Sequence, residues 1–144
     1  MNQPSTNHPV DKVSESALTE FRKQLGAVIE RVVEKTLQVD QGKEDAPDHS
    51  KLLPAGFEFT LKMLDGAASV GDLTLLEDQL KWAIQRLPHD GVAPHQLQER
   101  FETLVVILEE MLSAETWTEF KPYLAWMIFR QRELTANFSP PETA

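Results

Sequence analysis

Cysteine is absent from this chain of 144 residues. Its absence excludes disulfide bonds, thiolate metal sites and cysteine nucleophiles. A chain without cysteine is compatible with a reducing compartment.

Long apolar segments are missing too. No stretch approaches the roughly 18 consecutive apolar residues that a bilayer-spanning helix needs. The first ten residues, MNQPSTNHPV, have neither a basic start nor an apolar stretch, and we expect no signal peptide. The sequence therefore predicts a soluble, cytoplasmic protein without a membrane partner.

Basic residues are few: 14 Lys and Arg stand against 23 Asp and Glu, for a net charge of −9. Affinity for nucleic acids and for anionic membrane surfaces comes largely from Lys and Arg. We therefore expect neither kind of partner. The negative charge favours solubility.

Catalytic motifs are also missing. The sequence has no Gly-rich phosphate loop, no Gly-x-Ser-x-Gly elbow and no kinase signature. Its four histidines, His8, His49, His89 and His95, lack the i, i+3 or i, i+4 spacing that brings two metal ligands to one helix face. We expect neither an enzyme nor a metal site.

Helical periodicity is what the sequence does have. Apolar residues recur every three or four positions in five stretches, which predict helices at about 14–37, 51–68, 73–87, 94–112 and 116–134. The polar stretch 38–49 between the first two is predicted to be a loop, and loops of this length are usually functional or mobile. With no alternating strand pattern and no internal repeat, the fold class is all-α, a bundle of about five to six helices. One helical domain at 13–135 is expected between disordered tails at 1–12 and 136–144.

Local signals predict where several helices begin and end. Asp72 is a good N-cap for the third helix, and Pro88 stops it. Thr116 and Glu119 have the spacing of a capping box at the start of the fifth helix. Pro122 then predicts a kink, or a short first turn followed by a restart.

Aromatic side chains concentrate in the predicted fifth helix, which holds Trp117, Phe120, Trp126 and Phe129. Such a helix is typical of a core. However, Trp126 and Phe129 fall off its main apolar face, and exposed aromatics often mark an interface. These four residues are candidates for a homodimer interface formed by the last two helices.

From Met63 onward the sequence resembles the bacterial single-domain globins. The stretch MLDGAASVGDLTLLEDQLKWAIQRLPHDGV is similar to the end of the globin E helix, the EF turn, the F helix and the FG corner. ERFETLVVILEEML resembles the G helix, and TWTEFKPYLAWMIFRQREL resembles the H helix. The resemblance covers about half the chain and implies a globin-like bundle.

The positions of the haem ligands depart from the globin pattern. On this register the proximal histidine position falls on Leu87 and the distal position near Ala55, and neither residue can ligate iron. The phenylalanine of the CD region has no counterpart in QVDQGKEDAPDH. The chain is therefore more similar to the haem-free, dimeric, globin-like sensor domains of stressosome proteins, some of whose relatives hold a fatty acid in the vacated pocket.

The resemblance implies a sensory or protein-interaction domain without a cofactor, which binds a small apolar ligand or a partner protein. The candidate pocket residues are apolar and fall where haem would pack: Phe57, Leu61, Leu64, Leu80, Ile84, Leu87, Phe101, Leu104 and Leu108. The same residues could equally fill a solid core. Two alternatives stay open: a haem globin for oxygen or redox sensing that uses His89 in a shifted register, and a helical-bundle adaptor without a ligand.

Overall fold

A computed structural model of the protein describes residues 11–40 and 53–137. These residues form five α-helices and one short 3₁₀ helix, and no strand. The helices are α1 (Glu15–Asp40), α2 (Leu53–Val70), α3 (Thr74–Arg86), the 3₁₀ helix (Leu87–Asp90), α4 (Pro94–Met111) and α5 (Ala114–Ala136). The predicted all-α class, with about five helices, is confirmed. Of the expected tails at 1–12 and 136–144 and the expected loop at 38–49, residues 1–10, 138–144 and 41–49 lie outside the described residues. Ala136 is the last residue of α5, whereas a disordered tail was predicted from residue 136.

Two segments expected to be irregular are held by the bundle. α1 continues to Asp40, so residues 38–40 are helical and do not belong to a loop. At the other end, Tyr123 Oη donates a hydrogen bond to the Asp11 carbonyl oxygen at 2.8 Å. The N–H of Val13 donates to the Ala68 carbonyl oxygen at 3.0 Å, and Val13 is buried. The chain therefore packs against the bundle from Asp11 onward, whereas a disordered tail was predicted to extend to residue 12.

The starts of α3 and α5 differ from the predicted ones. The Asp72 carboxylate does accept a hydrogen bond from the N–H of Thr74 at 2.9 Å, but the N-cap position is occupied by Leu73. The N-cap of α5 is Ser113, whose Oγ accepts from the N–H of Thr116 at 3.3 Å. Thr116 thus lies in the first turn of α5, and the predicted capping box at Thr116 was wrong. α5 also runs on through Pro122 as one helix, so no restart occurs there.

The helices do not all pack closely on one another. α1 packs against α2, α4 and α5, while α3 packs against α2 and α5. α3 and α4 are not a closely packed pair, although α5 contacts both of them. A gap therefore remains between α3 and α4.

The turn that follows α3 shapes this gap. Pro88 removes a backbone donor and ends the α-helix, which tightens into the 3₁₀ helix. Gly91 then adopts φ of 87°, a left-handed conformation that favours glycine. The N–H of Val92 donates to the Leu87 carbonyl oxygen at 2.9 Å, which closes the turn. Leu87 and Val92 are thereby placed between α3 and α4.

Two short segments with a common pattern join α1 to α5. Residues 14–21 (SESALTEF) and 113–120 (SAETWTEF) both read S-x-x-x-x-T-E-F. No internal repeat was expected, because a match of four residues in eight does not stand out in a sequence. The two segments run antiparallel, and the rings of Phe21 and Phe120 stack with centroids 4.5 Å apart and planes at 18°.

The glutamate of each segment binds the N-terminus of the other helix. Glu119 accepts hydrogen bonds from the N–H of Ser14 at 2.7 Å and from its hydroxyl at 2.8 Å. Glu20 accepts from the N–H of Ser113 at 2.6 Å and from its hydroxyl at 2.8 Å. The N–H of Ser113 is the main cause that lowers the pKa of Glu20. Each helix start thus gains a negative charge and an acceptor from the opposite helix.

Replacing Glu20 or Glu119 with Ala is expected to lower the free energy of unfolding by about 1 kcal/mol, the typical cost of a lost helix cap. Urea denaturation at pH 7 measures the effect. Glu30→Ala is the control, since Glu30 is an exposed residue on the same helix as Glu20. Losses no larger than that of Glu30→Ala would contradict the capping role.

Candidate binding groove

A groove lies between α2, α3, the 3₁₀ helix and α4, where α3 and α4 fail to pack together. Its cavity has a volume of about 160 Å³ and is open to solvent on one side. Residues from all four helices and from the turn before α4 line it: Leu53, Gly56, Phe57, Phe59, Thr60, Gln79, Trp82, Ala83, Leu87, Val92, Leu97, Arg100 and Phe101.

The floor of the groove is apolar and continuous with the core. Phe57 of α2, Ala83 of α3 and Phe101 of α4 are buried and belong to the hydrophobic core cluster. Leu97 lies one turn before Phe101 and is buried beside it on the α4 side. An apolar group in the groove would therefore contact carbon atoms on three sides.

Two aromatic side chains at the rim remain exposed. Phe59 of α2 is 48% exposed, and Trp82 of α3 is 56% exposed. Both line the groove from different helices. Large aromatic surfaces in water lose the free energy that burial would supply, and exposed apolar patches commonly mark a binding surface. A ligand in the groove would therefore cover the rim that these two residues form.

Polar groups in the lining are few. Gln79 of α3 lines the groove, and its Oε1 is buried and accepts no hydrogen bond within the part of the chain that the structure describes. Thr60 and Arg100 are the remaining polar lining residues, and Arg100 is the charged one. Leaving a buried acceptor without a hydrogen bond costs about 1–3 kcal/mol of stability, so a donor that reached Gln79 Oε1 would recover part of that free energy.

An ion pair holds the helix that carries Gln79 and Trp82. Arg130 of α5 donates to both carboxylate oxygens of Glu77 of α3, each at 2.7 Å. Lys81 adds a contact to the same carboxylate at 3.2 Å. The hydrogen bond from Arg130 lowers the pKa of Glu77, and the carboxylates of Glu77 and Glu133 raise the pKa of Arg130. The pair fixes α3 against α5 and thereby fixes one wall of the groove.

The groove contains three of the nine residues that were predicted to line a pocket: Phe57, Leu87 and Phe101. The other six are buried in the hydrophobic core and do not line the groove: Leu61, Leu64, Leu80, Ile84, Leu104 and Leu108. For these six the structure agrees with the alternative expectation of a solid core. Sequence reasoning missed Gln79, Thr60 and the rim residues. Phe59 and Trp82 could have been recognised from the sequence, because each is an aromatic residue that lies beside the main apolar face of its helix.

The four predicted interface residues have different environments. Trp117 and Phe120 are buried in the core of the chain itself, which corrects their placement at an interface. Phe120 stacks on Phe21 of α1, so this face of α5 packs inside the bundle. Trp126 is partly buried, and Phe129 is 59% exposed. Dimerisation through α4 and α5 stays a prediction, for which Phe129 is the exposed candidate.

The groove residues do not fit a haem group. Haem iron is held by His, Cys, Met or Tyr side chains, and the groove lining contains none of these. Leu87, at the position where the resemblance places the proximal histidine, lines the groove. His89 is an exposed residue of the 3₁₀ helix and is not part of the lining.

Residues 11–40 and 53–137 contain no group of three or more His, Asp or Glu side chains that could hold a metal ion. Among the helices described, none combines the length and the apolar character needed to cross a membrane.

Comparison of the chain with known protein families, with curated proteins and with solved structures finds no match in any of the three. The described residues form a five-helix domain with an apolar groove between α2, α3 and α4.

Proposed function

We propose that this chain is a haem-free, globin-like domain that binds a small apolar ligand in the groove between α2, α3 and α4, in a sensory or interaction role. The observation that carries the proposal is an open apolar cavity whose rim exposes Phe59 and Trp82. A solid core would not require two large aromatic side chains to remain in water beside an unfilled space.

The size of the cavity limits the ligand. An apolar cavity of roughly 150 Å³ stays dry and binds benzene, whereas drug-sized ligands take pockets of roughly 300–1,000 Å³. At about 160 Å³, this cavity suits a single small ring system or a short alkyl chain. The open side leaves room for a substituent that points into solvent.

The position of the groove supports the globin-like interpretation. When the chain is aligned with the globins as in the resemblance above, the end of α2 corresponds to the end of the E helix, α3 to the F helix and α4 to the G helix. The groove lies between these three helices. In that alignment, Leu87 lines the groove at the position that the resemblance assigns to the proximal histidine.

The packing of the helices supports a sensory role. A ligand in the groove contacts α3 and α4, which do not pack closely on each other. Binding would join them and stabilise the folded state by mass action. Occupancy of the groove would thereby change how firmly α3 and its exposed surface are held.

Gly56→Leu is expected to abolish binding of toluene, which serves as a size-matched probe. Gly56 lines the groove, and a Cβ atom built on it meets nothing within 4 Å, so a side chain can begin there without a clash, and leucine is chosen to reach into the cavity. Toluene should raise the melting temperature of the native protein in a saturable way but leave that of Gly56→Leu unchanged.

Gly26→Leu is the matched control for that experiment. Gly26 is exposed on α1, lies outside the groove lining and also has nothing within 4 Å of a built Cβ. Its melting temperature should respond to toluene as that of the native protein does. Equal responses of Gly56→Leu and Gly26→Leu would place toluene elsewhere and refute binding in the groove.

A further inference from the structure

The walls of the groove point to a ring as the ligand's apolar part. Aromatic side chains come from each of the three main helices: Phe57 and Phe59 from α2, Trp82 from α3 and Phe101 from α4. Aromatic rings in contact prefer offset-stacked or edge-to-face arrangements, which gives them a preference for another ring beyond area alone. A short alkyl chain would gain only the burial of its surface.

The polar part of the ligand follows from Gln79. Its Oε1 is a buried acceptor that receives no hydrogen bond in the described chain, and the side chain lines the groove. The Oε1 atom is itself buried, so the amide has to rotate about its terminal torsion, which is broad in glutamine, to present the oxygen to a bound molecule. A donor on the ligand would satisfy an acceptor that the protein leaves unpaired.

The charges of the lining favour a neutral donor. No carboxylate lines the groove among the described residues, so an ammonium group would find no counter-charge there. The charged lining residue, Arg100, is itself a cation and cannot serve as the counter-charge of an ammonium group. A neutral N–H or O–H group needs no counter-charge.

We propose that the ligand is a small neutral aromatic molecule that carries one N–H or O–H donor, of the indole or phenol class, and that Gln79 accepts its hydrogen bond. This inference rests on the proposed function of the groove. It adds the chemical class of the ligand and a residue that selects it.

Three bicyclic probes of nearly equal shape test the inference: indole, which has an N–H donor, indene, which has no polar atom, and benzofuran, which has only an acceptor. Calorimetry on the full chain measures their dissociation constants. Indole is expected to bind about tenfold more tightly than indene, the upper range for one net hydrogen bond. Gln79→Leu is expected to remove that difference while leaving the affinity for indene within about twofold.

The outcomes separate this inference from the proposed function. Equal affinities of indole and indene for the native protein would overturn the role of Gln79, while saturable toluene binding would leave the groove intact as a binding site. Benzofuran binding more tightly than indole would overturn the choice of a donor. A failure of indole, indene and toluene alike to bind would overturn both proposals. The comparison of probes on the native protein needs no variant, so it stands even if Gln79→Leu does not fold.

Discussion

Replacing Phe120 with Ala is expected to lower the free energy of unfolding by about 3–5 kcal/mol, the range for removing a fully buried aromatic ring. Phe120 has no exposed surface and stacks on Phe21 at a centroid distance of 4.5 Å. The two rings lie where the matching segments 14–21 and 113–120 join α1 to α5. The loss combines the apolar transfer free energy, the cavity left behind and the ring contact.

Urea denaturation followed by circular dichroism measures this loss. Phe120→Leu keeps part of the volume and should cost clearly less than Phe120→Ala. Leu37→Ala is the exposed control on α1 and should change the free energy of unfolding by less than about 0.5 kcal/mol. If Phe120→Ala cost no more than Leu37→Ala, the α1–α5 junction would not be part of the stable core.

Replacing Arg130 with Met is expected to lower the free energy of unfolding by about 2 kcal/mol at pH 7. Removing one partner of a fully buried ion pair costs about 3–5 kcal/mol, because the other charge is left buried without it. Here the Glu77 side chain is 7% exposed but Arg130 is 27% exposed, and Lys81 stays beside the carboxylate. The partial exposure of Arg130 and the presence of Lys81 both reduce the penalty below that range.

The same pair predicts a dependence on pH. Because Arg130 lowers the pKa of Glu77 in the folded state, the pair stabilises the protein at pH values above the ordinary pKa of about 4.3. This contribution is lost as the pH falls from there through the lowered pKa, since the folded carboxylate must then take up a proton. The difference between the native protein and Arg130→Met should therefore be full at pH 6–7 and shrink below about pH 4.

Glu133→Gln is the control for the ion pair. Glu133 contacts the same guanidinium at 3.2 Å, but its side chain is 44% exposed. Exposed pairs contribute about 0–1 kcal/mol, so this variant should differ little from the native protein at any pH. A difference for Arg130→Met that stayed constant from pH 7 to pH 3 would show that its cause is lost packing and not the charge of Glu77.

Much of the fold could be predicted because its causes are local. The apolar period of α4 and the proline at its first position predicted a helix that begins at Pro94, as the structure has it. The start of α5 was misplaced because both Ser113 and Thr116 are good N-cap residues. Ser113 occupies the cap position, where Glu20, 93 residues earlier in the chain, also binds it. A contact of that separation leaves no local signal.

The candidate groove was predictable only in part, for a related reason. Periodicity shows that Phe57, Leu61 and Leu64 share the apolar face of α2, but it does not show what lies opposite each of them. Leu61 and Leu64 face other helices and fill the core, whereas Phe57 faces the gap between α3 and α4. Gln79 gave no signal at all, because a polar residue on a helix is normally solvated.

The sequence by itself determined that this chain forms amphipathic helices, because the spacing of apolar residues and the positions of proline and glycine act over a few residues. Only the tertiary structure decided how those faces combine. It pairs Ser14 with Glu119 and Ser113 with Glu20, it buries Trp117 and Phe120, and it leaves α3 and α4 apart. The groove exists because three helices meet there without enough side-chain volume to close the space between them.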